Sequence, residues 1–207
     1  DDRQAYVDLV CDRIIPAAAE QGLASSCDAF CEQGAFTRDE TRRIMETAQK
    51  HGLSLRLHAE QFTDTGAAAL AAEMGALSAD HLEAIGDEAI VAMAASGTVG
   101  VLLPGAALMV GEVFPDGRRL IGGGVRVALG TDLNPGTSMT ESLPLMMSLA
   151  CTQCGLTPAE AWLGVTVNAA RALGLEDEIG TIQPGKRADV AIFDIETPAE
   201  LAYRIGY

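Results

Sequence analysis

The sequence is poor in aromatic and in basic residues. Phe, Trp and Tyr make up 4% of the chain, and 14 Lys and Arg stand against 29 Asp and Glu, for a formal net charge of -15. Binding to nucleic acid or to an anionic membrane surface needs clustered positive charge, so we expect neither partner. The excess of acidic side chains is typical of a well-solvated surface.

Histidine is also scarce, and the cysteines are few enough to be counted singly. The five cysteines are odd in number and scattered, which indicates reduced thiols and predicts a cytoplasmic protein. The chain opens on Asp1-Asp2 without Met and without a positively charged apolar leader, so we expect a fragment or a processed piece. The three histidines are His51, His58 and His81, and no His-x-His pair occurs.

One stretch, Ala89 to Val110, carries no charge and is long enough to cross a bilayer, which takes roughly 20 residues. Its interior is divided by Ser96-Gly97-Thr98 and by Pro104-Gly105. These breaks predict the end of a helix, a buried parallel strand at Val99–Leu103 and then a loop. A membrane helix is therefore not expected.

The rest of the chain alternates between strand-like and helix-like segments. Two helix starts are marked by capping boxes, Thr37 with Glu40 and Thr157 with Glu160, in which hydroxyl and carboxylate each satisfy a free backbone N–H. Strand, loop and helix are expected to recur five times, as in parallel βαβ units. This α/β pattern fits an open doubly wound sheet or part of a (β/α)8 barrel, and polar residues at successive strand ends favour the barrel.

The two ends of the chain follow other patterns. The opening segment is predicted as an amphipathic helix, closed by Pro16 and then a glycine, whose apolar face is formed by Tyr6, Leu9, Val10 and Ile14 or Ile15. From Gly180 to Asp194 the pattern predicts a turn-rich hairpin with an alternating strand, which is unlike the preceding βα segments. A domain boundary is therefore expected between residues 178 and 179.

Three predicted strands end on residues that bind metals or move protons. They are Leu53–Leu57 before His58, Ala76–Asp80 before His81, and Val125–Gly130 before Asp132. Carboxyl ends of parallel strands meet at one edge, and two imidazoles with a carboxylate suit a metal such as Zn²⁺. Taken singly, a histidine at a strand end is more often a hydrogen-bonded structural group, and an aspartate before a loop is more often a turn or cap residue.

Three further motifs are interpreted as structural. His51 lies at a predicted helix end, where its cation suits the negative end of the helix dipole. Cys151 and Cys154 have redox or metal spacing but lack a second pair, so two ordinary buried thiols are expected. Gly122–Gly124 lacks the strand-before, helix-after context of a phosphate loop and predicts a tight turn.

Longer motifs from about Cys27 onward resemble the imidazolonepropionase family of the amidohydrolase superfamily. They are Phe30-Cys31-Glu32, Leu57-His58-Ala59-Glu60-Gln61, Ser78-Ala79-Asp80-His81, Val101-Leu102-Leu103-Pro104-Gly105 and Thr131-Asp132-Leu133-Asn134-Pro135-Gly136-Thr137. The resemblance implies that residues 1–178 are part of a (β/α)8 barrel, about its fourth to eighth strands. It also implies that residues 179–207 supply a turn and a strand that return to a small β-sandwich domain.

The resemblance implies an enzyme of histidine degradation, a metal-dependent hydrolase that opens the cyclic amide of the anionic substrate 4-imidazolone-5-propanoate to give N-formimidoyl-L-glutamate. His58 and Asp132 would be ligands of one divalent or trivalent metal ion, zinc or iron, since this N/O ligand set accepts both. Asp132 would also move a proton, and His81 would polarise the carbonyl or orient the water. Gln61 occupies a position that is Glu in some members of the family and Gln in others. The resemblance implies that it is both a catalytic and a substrate-binding residue.

Substrate contacts are implied for Asn134, Gly136 and Thr137. The Asn134-Pro135-Gly136 turn is expected to present backbone N–H groups to the substrate's carboxylate. That arrangement matters because an acidic protein must bind an anion.

The superfamily's His-x-His pair on the first barrel strand is absent from these residues. We therefore expect the N-terminal half of the same protein as a partner, with no complete metal site in this chain alone, and a homodimer stays open. Two other interpretations also stay open. One is another amidohydrolase that acts on a cyclic amide or as a deaminase, and the other is a non-catalytic half-barrel that binds a partner.

Overall fold

The computed structural model describes residues 2–206. The chain divides into two compact units, the first ending at Thr98 and the second beginning at Val99. Across the described residues, no helix combines the length and the apolar character that crossing a membrane requires. The uncharged stretch 89–110 instead holds most of one helix, a short strand and a second helix.

The first unit consists of strand–helix repeats that follow an N-terminal helical segment. Its elements are α1 (Arg3–Leu9), a π-helical segment (Val10–Ile14), α2 (Ile15–Glu20), β1 (Ser26–Cys31), α3 (Arg38–Lys50), β2 (Ser54–Ala59), α4 (Ala67–Glu73), β3 (Ser78–His81) and α5 (Asp87–Ser96). β1 pairs with β2 and β2 pairs with β3, both in parallel. The predicted parallel βα order is confirmed in this unit.

Helix α3 forms where its capping box predicts it. The Thr37 hydroxyl accepts a hydrogen bond from the Glu40 N–H, and the Glu40 carboxylate accepts one from the Thr37 N–H at 2.7 Å. The helix buries Ile44, Met45 and Ala48 on one face, so packing completes what the cap begins. His51 is its C-cap, as the structural interpretation of that histidine predicts.

The N-terminal helical segment buries only part of the predicted face. Ile15 is buried and Val10 is half-buried as predicted, whereas Tyr6 and Leu9 are exposed and the prediction was wrong for them. The other buried residues are Val7 and Cys11. Pro16 also does not end the helix, because it lies in the first turn of α2. Proline has no N–H for the usual bond to the carbonyl four residues earlier, and the chain just before it is π-helical, with the Ile15 N–H bonded to the Val10 carbonyl.

The second unit carries two parallel strands and the remaining helices of the described residues. Its elements are β4 (Val99–Leu102), α6 (Pro104–Val110), α7 (Gly117–Gly122), β5 (Val127–Leu129), α8 (Leu143–Gln153), α9 (Pro158–Val165), α10 (Val167–Ala172) and α11 (Pro198–Tyr203). β4 pairs with β5 in parallel. A buried cluster of Val99, Ala128 and Ala172 packs helix α10 against both strands.

Pro104 and Gly105 begin a helix, whereas the sequence predicted a loop there. Proline is tolerated in the first turn of a helix because its missing N–H would have no helical partner in any case. Gly105 is buried, and a Cβ at this position would lie 2.9 Å from Ser138 Oγ and 3.0 Å from the Met146 methyl. The glycine therefore serves close packing.

The tail between α10 and α11 does not form the predicted hairpin strand. Among the described residues, none between Ala172 and Pro198 belongs to a helix or a strand. Ile182 and Ile192, two apolar residues of the alternating pattern, are each 93% exposed. A strand needs a neighbour to take its backbone hydrogen bonds, and the described part of the second unit pairs only β4 with β5.

Candidate metal and catalytic site

Three strands of the first unit align a set of polar side chains on one face. In the parallel register Phe30 lies opposite His58, and His58 lies opposite Asp80. Asp28 precedes Phe30 by two residues, so it points to the same face. The alternation that buries Leu55 and Leu57 on the other face therefore leaves Asp28, Arg56, His58 and Asp80 on this one.

The His58 imidazole is in close contact with its neighbours on this face. Its Nδ1 lies 2.8 Å from Asp28 Oδ2, and the Phe30 ring stands edge-on to it with 6.1 Å between centroids. One ligand atom from each of Asp28, His58 and Asp80 lies within 4.8 Å of the others. This is a donor set of the kind that borderline metals accept.

His81 joins His58 although strand alternation would separate them. In the register His81 lies opposite Ala59, whose side chain points away from that of His58. The ring of His81 is nevertheless centred 5.2 Å from that of His58. The reason is that His81 and Leu82 have φ of +82° and +73°, so the extended backbone and its alternation end at His81.

Three buried polar atoms around these histidines have no hydrogen-bond partner within the described residues. They are His81 Nδ1, Asp80 Oδ1 and Glu83 Oε2. His81 is only 2% exposed, and its Nδ1 lies 3.8 Å from Glu83 Oε1. Buried polar atoms without partners are costly in a fold, and functional sites are one place where they are retained.

The Asp80 carboxyl is electrostatically unusual. Burial raises its pKa to about 6, a hydrogen bond from Ser78 opposes the rise, and the neighbouring Asp28 carboxylate adds to it. The two imidazoles of His58 and His81 act in the opposite direction. Such a displaced pKa in a polar cluster is typical of a functional site.

Glu60, directly after β2, holds the start of α4. Its carboxylate is fully buried and accepts hydrogen bonds from the N–H groups of Ala67 and Ala68 at 2.6 and 2.7 Å. Burial raises the pKa of Glu60, and the two backbone N–H groups partly offset that rise. The Glu60 backbone is left-handed, with φ of +50°.

Glu32, directly after β1, holds the other side of the same loop. Its carboxylate accepts hydrogen bonds from the N–H groups of Phe62 and Thr63 at 2.9 and 3.1 Å and from the Thr63 hydroxyl. Burial raises the pKa of Glu32, but these hydrogen bonds outweigh burial and bring the pKa below its usual value. Half-buried Gln61 therefore lies on a loop that two buried carboxylates hold in place.

In the second unit, Asp132 and Asn134 lie in the loop after β5. Asp132 has a left-handed backbone, with φ of +51°. The Asn134 Nδ2 donates to the Asp132 carbonyl at 2.7 Å and to Asp132 Oδ2 at 3.2 Å. The amide of Asn134 thus orients the carboxylate that precedes it by two residues.

The backbone of this loop differs from the expectation for substrate binding. The N–H groups of Gly136 and Thr137 both donate to Asn134 Oδ1 at 2.8 Å, which closes a turn. They donate to a side chain of the same loop, whereas the sequence analysis expected them to face a substrate carboxylate. Thr137 Oγ1 lies 2.9 Å from Asn134 Nδ2, so the two side chains support each other.

The structure places the sequence-predicted residues in two groups. His58, His81 and Gln61 follow strands of the first unit, and Asp132, Asn134, Gly136 and Thr137 follow β5 of the second. Sequence reasoning missed Asp28, Glu32, Glu60 and Asp80 as members of the first group. Their shared signal is an acidic side chain within or just after a strand-like run. All five cysteines are free thiols, and Cys154 is buried as expected while Cys151 is half-buried.

Comparisons with known proteins show the family of this chain. The model of the amidohydrolase family matches residues 10–204. An imidazolonepropionase from Rhizorhabdus wittichii is 54% identical over 207 residues, which cover 100% of this chain and 52% of the relative. One from Geobacillus thermodenitrificans is 50% identical over 206 residues, covering 100% and 49%. The chain spans about half the length of the curated relatives it matches.

Solved structures share the fold at lower identity. An atrazine chlorohydrolase from Arthrobacter aurescens, complexed with zinc, has a TM-score of 0.72 at 15% identity over 93% of this chain and 51% of that one. An adenosine deaminase from Xanthomonas campestris, with bound zinc, has a TM-score of 0.64 at 22% identity over 75% and 40%. The predicted α/β class, with parallel strands that correspond to part of a (β/α)8 barrel, is confirmed.

Proposed function

Because this chain belongs to the amidohydrolase family, we propose that it forms half of a metal-dependent hydrolase that converts 4-imidazolone-5-propanoate to N-formimidoyl-L-glutamate in histidine degradation. The observation that carries the proposal is 50–54% identity, along the whole chain, to proteins named imidazolonepropionase. The polar strand ends of the first unit support it because they provide chemistry that such a hydrolase needs.

The donor set of the first unit fits a metal ion. The imidazole rings of His58 and His81 are centred 5.2 Å apart, and His81 Nδ1 and Asp80 Oδ1 are buried without a partner among the described residues. Zinc and iron both accept such ligands, and the choice between them is left to experiment. When bound, the ion would supply positive charge that acidifies water and polarises a carbonyl group.

The proposal gives each predicted residue a task. His58 and Asp132 would hold the metal, and the Asp132 carboxylate would also serve as a proton acceptor. His81 donates toward the amide carbonyl of the substrate, and Gln61 contacts the ring of the substrate from its anchored loop.

The loop after β5 would hold the rest of the substrate. Asn134 and Thr137 contribute side-chain polar groups, and Gly136 leaves room at an exposed turn. The amides of Gly136 and Thr137 already donate within the loop, so we assign recognition here to side chains. The half-buried positions of Asn134 and Thr137 support this assignment.

We also propose that residues 1–178 complete a barrel with the other half of the protein and that residues 179–207 add a strand to a small β domain. The exposed alternating residues Ile182, Val190 and Ile192 support the second part, because a strand that lacks its sheet leaves such side chains in water. The upstream half would then be the main partner. A homodimer of the completed protein is compatible with this assembly.

A chimera tests the proposed function directly. The matching half of the Rhizorhabdus wittichii imidazolonepropionase is replaced with this chain, and the loss of 4-imidazolone-5-propanoate and the formation of N-formimidoyl-L-glutamate are followed by mass spectrometry. We expect turnover that depends on added zinc or iron. A folded, metal-loaded chimera that leaves this substrate unchanged would contradict the proposal, as would an upstream reading frame without a His-x-His pair after a buried strand.

A further inference from the structure

We propose that Asp28 is a positioning residue that fixes the tautomer of His58, so that Nδ1 carries the hydrogen and Nε2 is the nitrogen left for a metal. The inference rests on the proposed function in one respect, because it takes His58 to be a metal ligand. It adds a residue on a different strand, to which neither the sequence motifs nor the family resemblance assigned a role.

The contact between the two side chains follows from strand register. Phe30 lies opposite His58 across the β1–β2 ladder, and Asp28 is one step earlier on the same face. A carboxylate at that diagonal position reaches the near edge of the imidazole, and Asp28 Oδ2 lies 2.8 Å from Nδ1. Since both residues belong to paired strands, the backbone holds their Cα atoms in this register.

Two aromatic rings restrict how the imidazole can turn. Phe30 meets it edge-on at an interplanar angle of 72°, and the ring of His81 is centred 5.2 Å away. Turning the ring of His58 by half a revolution would bring a carbon in place of Nδ1 toward the Asp28 carboxylate. The arrangement therefore favours a single orientation of the ring.

The chemistry of the pair then determines where the hydrogen lies. A neutral imidazole has one N–H donor and one acceptor nitrogen, whereas an ionised carboxylate only accepts. In the neutral imidazole, the nitrogen that lies 2.8 Å from the Asp28 carboxylate is the donor, which assigns the hydrogen to Nδ1 and the lone pair to Nε2. A carboxylate that orients a ligating histidine in this way raises the basicity of the ligating nitrogen and strengthens metal binding.

The same three side chains could instead be thought of as a metal triad, since ligand atoms of Asp28, His58 and Asp80 lie within 4.8 Å. The distance between Nδ1 and Oδ2 argues against that role. Ligands about 2.0–2.1 Å from a tetrahedral zinc ion lie roughly 3.3 Å apart, and 2.8 Å is the length of a charge-assisted hydrogen bond. Asp28 is therefore a hydrogen-bond partner of His58, and the two are not ligands of one ion through these atoms.

Nitrogen-15 NMR of the 207-residue chain tests the proposal without any metal. Long-range proton–nitrogen spectra at about pH 9, well above the ordinary histidine pKa, distinguish a protonated Nδ1 from a protonated Nε2. We expect His58 to be the Nδ1–H tautomer in the unsubstituted chain. A predominantly Nε2–H His58 would overturn the proposal, and this measurement does not depend on whether any variant folds.

The Asp28→Asn variant provides the second measurement. An amide can donate as well as accept, so it no longer distinguishes the tautomers, and we expect the Nδ1–H to Nε2–H ratio at His58 to fall roughly tenfold or more. Asp39→Asn is the matched control, because it removes an exposed carboxylate from α3 and should leave the ratio unchanged. An unchanged ratio in a folded Asp28→Asn chain would overturn the proposal.

A third variant separates the positioning role from the metal triad. In the chimera, which supplies the other half of the protein, adding zinc to Asp80→Asn should perturb His58 at Nε2, as it does without that substitution. A zinc effect at Nδ1 that Asp80→Asn abolishes would overturn the proposal in favour of the triad. The tautomer measurement is also independent of turnover. If the chimera fails to hydrolyse its substrate while His58 remains Nδ1–H, the proposed function is wrong and the role of Asp28 stands.

Discussion

The strand ends of the two units hold their polar side chains in different ways. In the first unit, Asp28, His58 and Asp80 take their positions from the register of three parallel strands. In the second unit, Asp132 takes its position from a turn in which Asn134 donates to both its carbonyl and its carboxylate. One arrangement is set by many backbone hydrogen bonds, and the other by the hydrogen bonds of one amide.

The difference implies different responses to substitution. A side chain held by strand register keeps its position when a neighbouring loop changes, because the ladder remains. A side chain held by a turn moves when the residue that closes the turn is lost. Loop substitutions should therefore affect Asp132 more than they affect His58, and the following predictions test that contrast in order of decreasing effect.

The largest effect is expected at Asp132 itself. In the chimera, Asp132→Asn should lower kcat/KM by about a thousandfold or more, since the variant loses a charged metal ligand and a proton acceptor together. Circular dichroism and the denaturation midpoint should stay close to those of the parent. Asp177→Asn, an exposed carboxylate in the same unit, is the control that should keep full activity. Substantial turnover in Asp132→Asn would show that other residues bind the metal and accept the proton.

Glu60→Gln should have the next largest effect, on stability. The Glu60 carboxylate accepts from two backbone N–H groups at the start of α4, and an amide can offer only one oxygen to them. Hydrogen bonds to a charged group are worth about 1.5–3 kcal/mol, so we expect the free energy of unfolding to fall by about 2 kcal/mol in urea.

The exposed Glu73→Gln at the other end of the same helix gives a reference for Glu60→Gln, because it affects only surface contacts with Arg42 and Arg38. Equal losses in the two variants would mean that the buried cap contributes no more than a surface ion pair. The inference that the buried Glu60 stabilises the first unit more than the exposed Glu73 does would then be wrong.

Asn134→Ala tests whether one amide positions Asp132. The variant loses the donor to Asp132 Oδ2 and the acceptor for the N–H groups of Gly136 and Thr137. We expect kcat in the chimera to fall about tenfold, which corresponds to the loss of roughly one hydrogen bond. Met139→Ala, an exposed side chain of the same loop, should leave kcat unchanged. A fall confined to KM would instead assign Asn134 to substrate binding alone.

Much of this arrangement could be predicted from sequence because it depends on local or periodic signals. The capping boxes at Thr37 and Thr157 predict the starts of α3 and α9. The alternation of strand-like and helix-like segments predicts that the strands pair in parallel. The placement of His58 and His81 at neighbouring strand ends follows from that order alone.

Other features depend on contacts that no local pattern records. Left-handed backbone at Glu60, His81, Leu82 and Asp132 is unfavourable for residues with a Cβ, and tertiary hydrogen bonding and packing must stabilise it. The ring contact between His81 and His58 depends on the left-handed backbone at His81. Strand alternation alone predicts the two side chains on opposite faces of the sheet. The tail shows the reverse case, in which an alternating pattern is present and no strand forms in the described chain.

The smallest effect is expected at a feature that the two units share. Glu40 closes one capping box and contacts Arg3, and Glu160 closes the other and contacts Arg118. The hydrogen bond from the arginine is the main cause that lowers the pKa of each carboxyl to about 2. Because the folded pKa lies below the usual value of 4.5, each contribution is complete above about pH 4.5 and is lost as the pH falls toward 2.

Glu40→Gln and Glu160→Gln should therefore each lower the free energy of unfolding by about 1 kcal/mol at neutral pH, a typical value for a helix cap. The difference from the parent should shrink steadily as denaturation is repeated at lower pH, because the parent carboxyl then becomes neutral as well. Glu46→Gln, on the exposed face of α3, should show almost no difference at any pH. If the loss in free energy of unfolding depends on pH in the same way for Glu40→Gln and Glu160→Gln, the helix caps of the two units behave alike. The difference between the two units would then lie in how they hold the polar side chains at their strand ends.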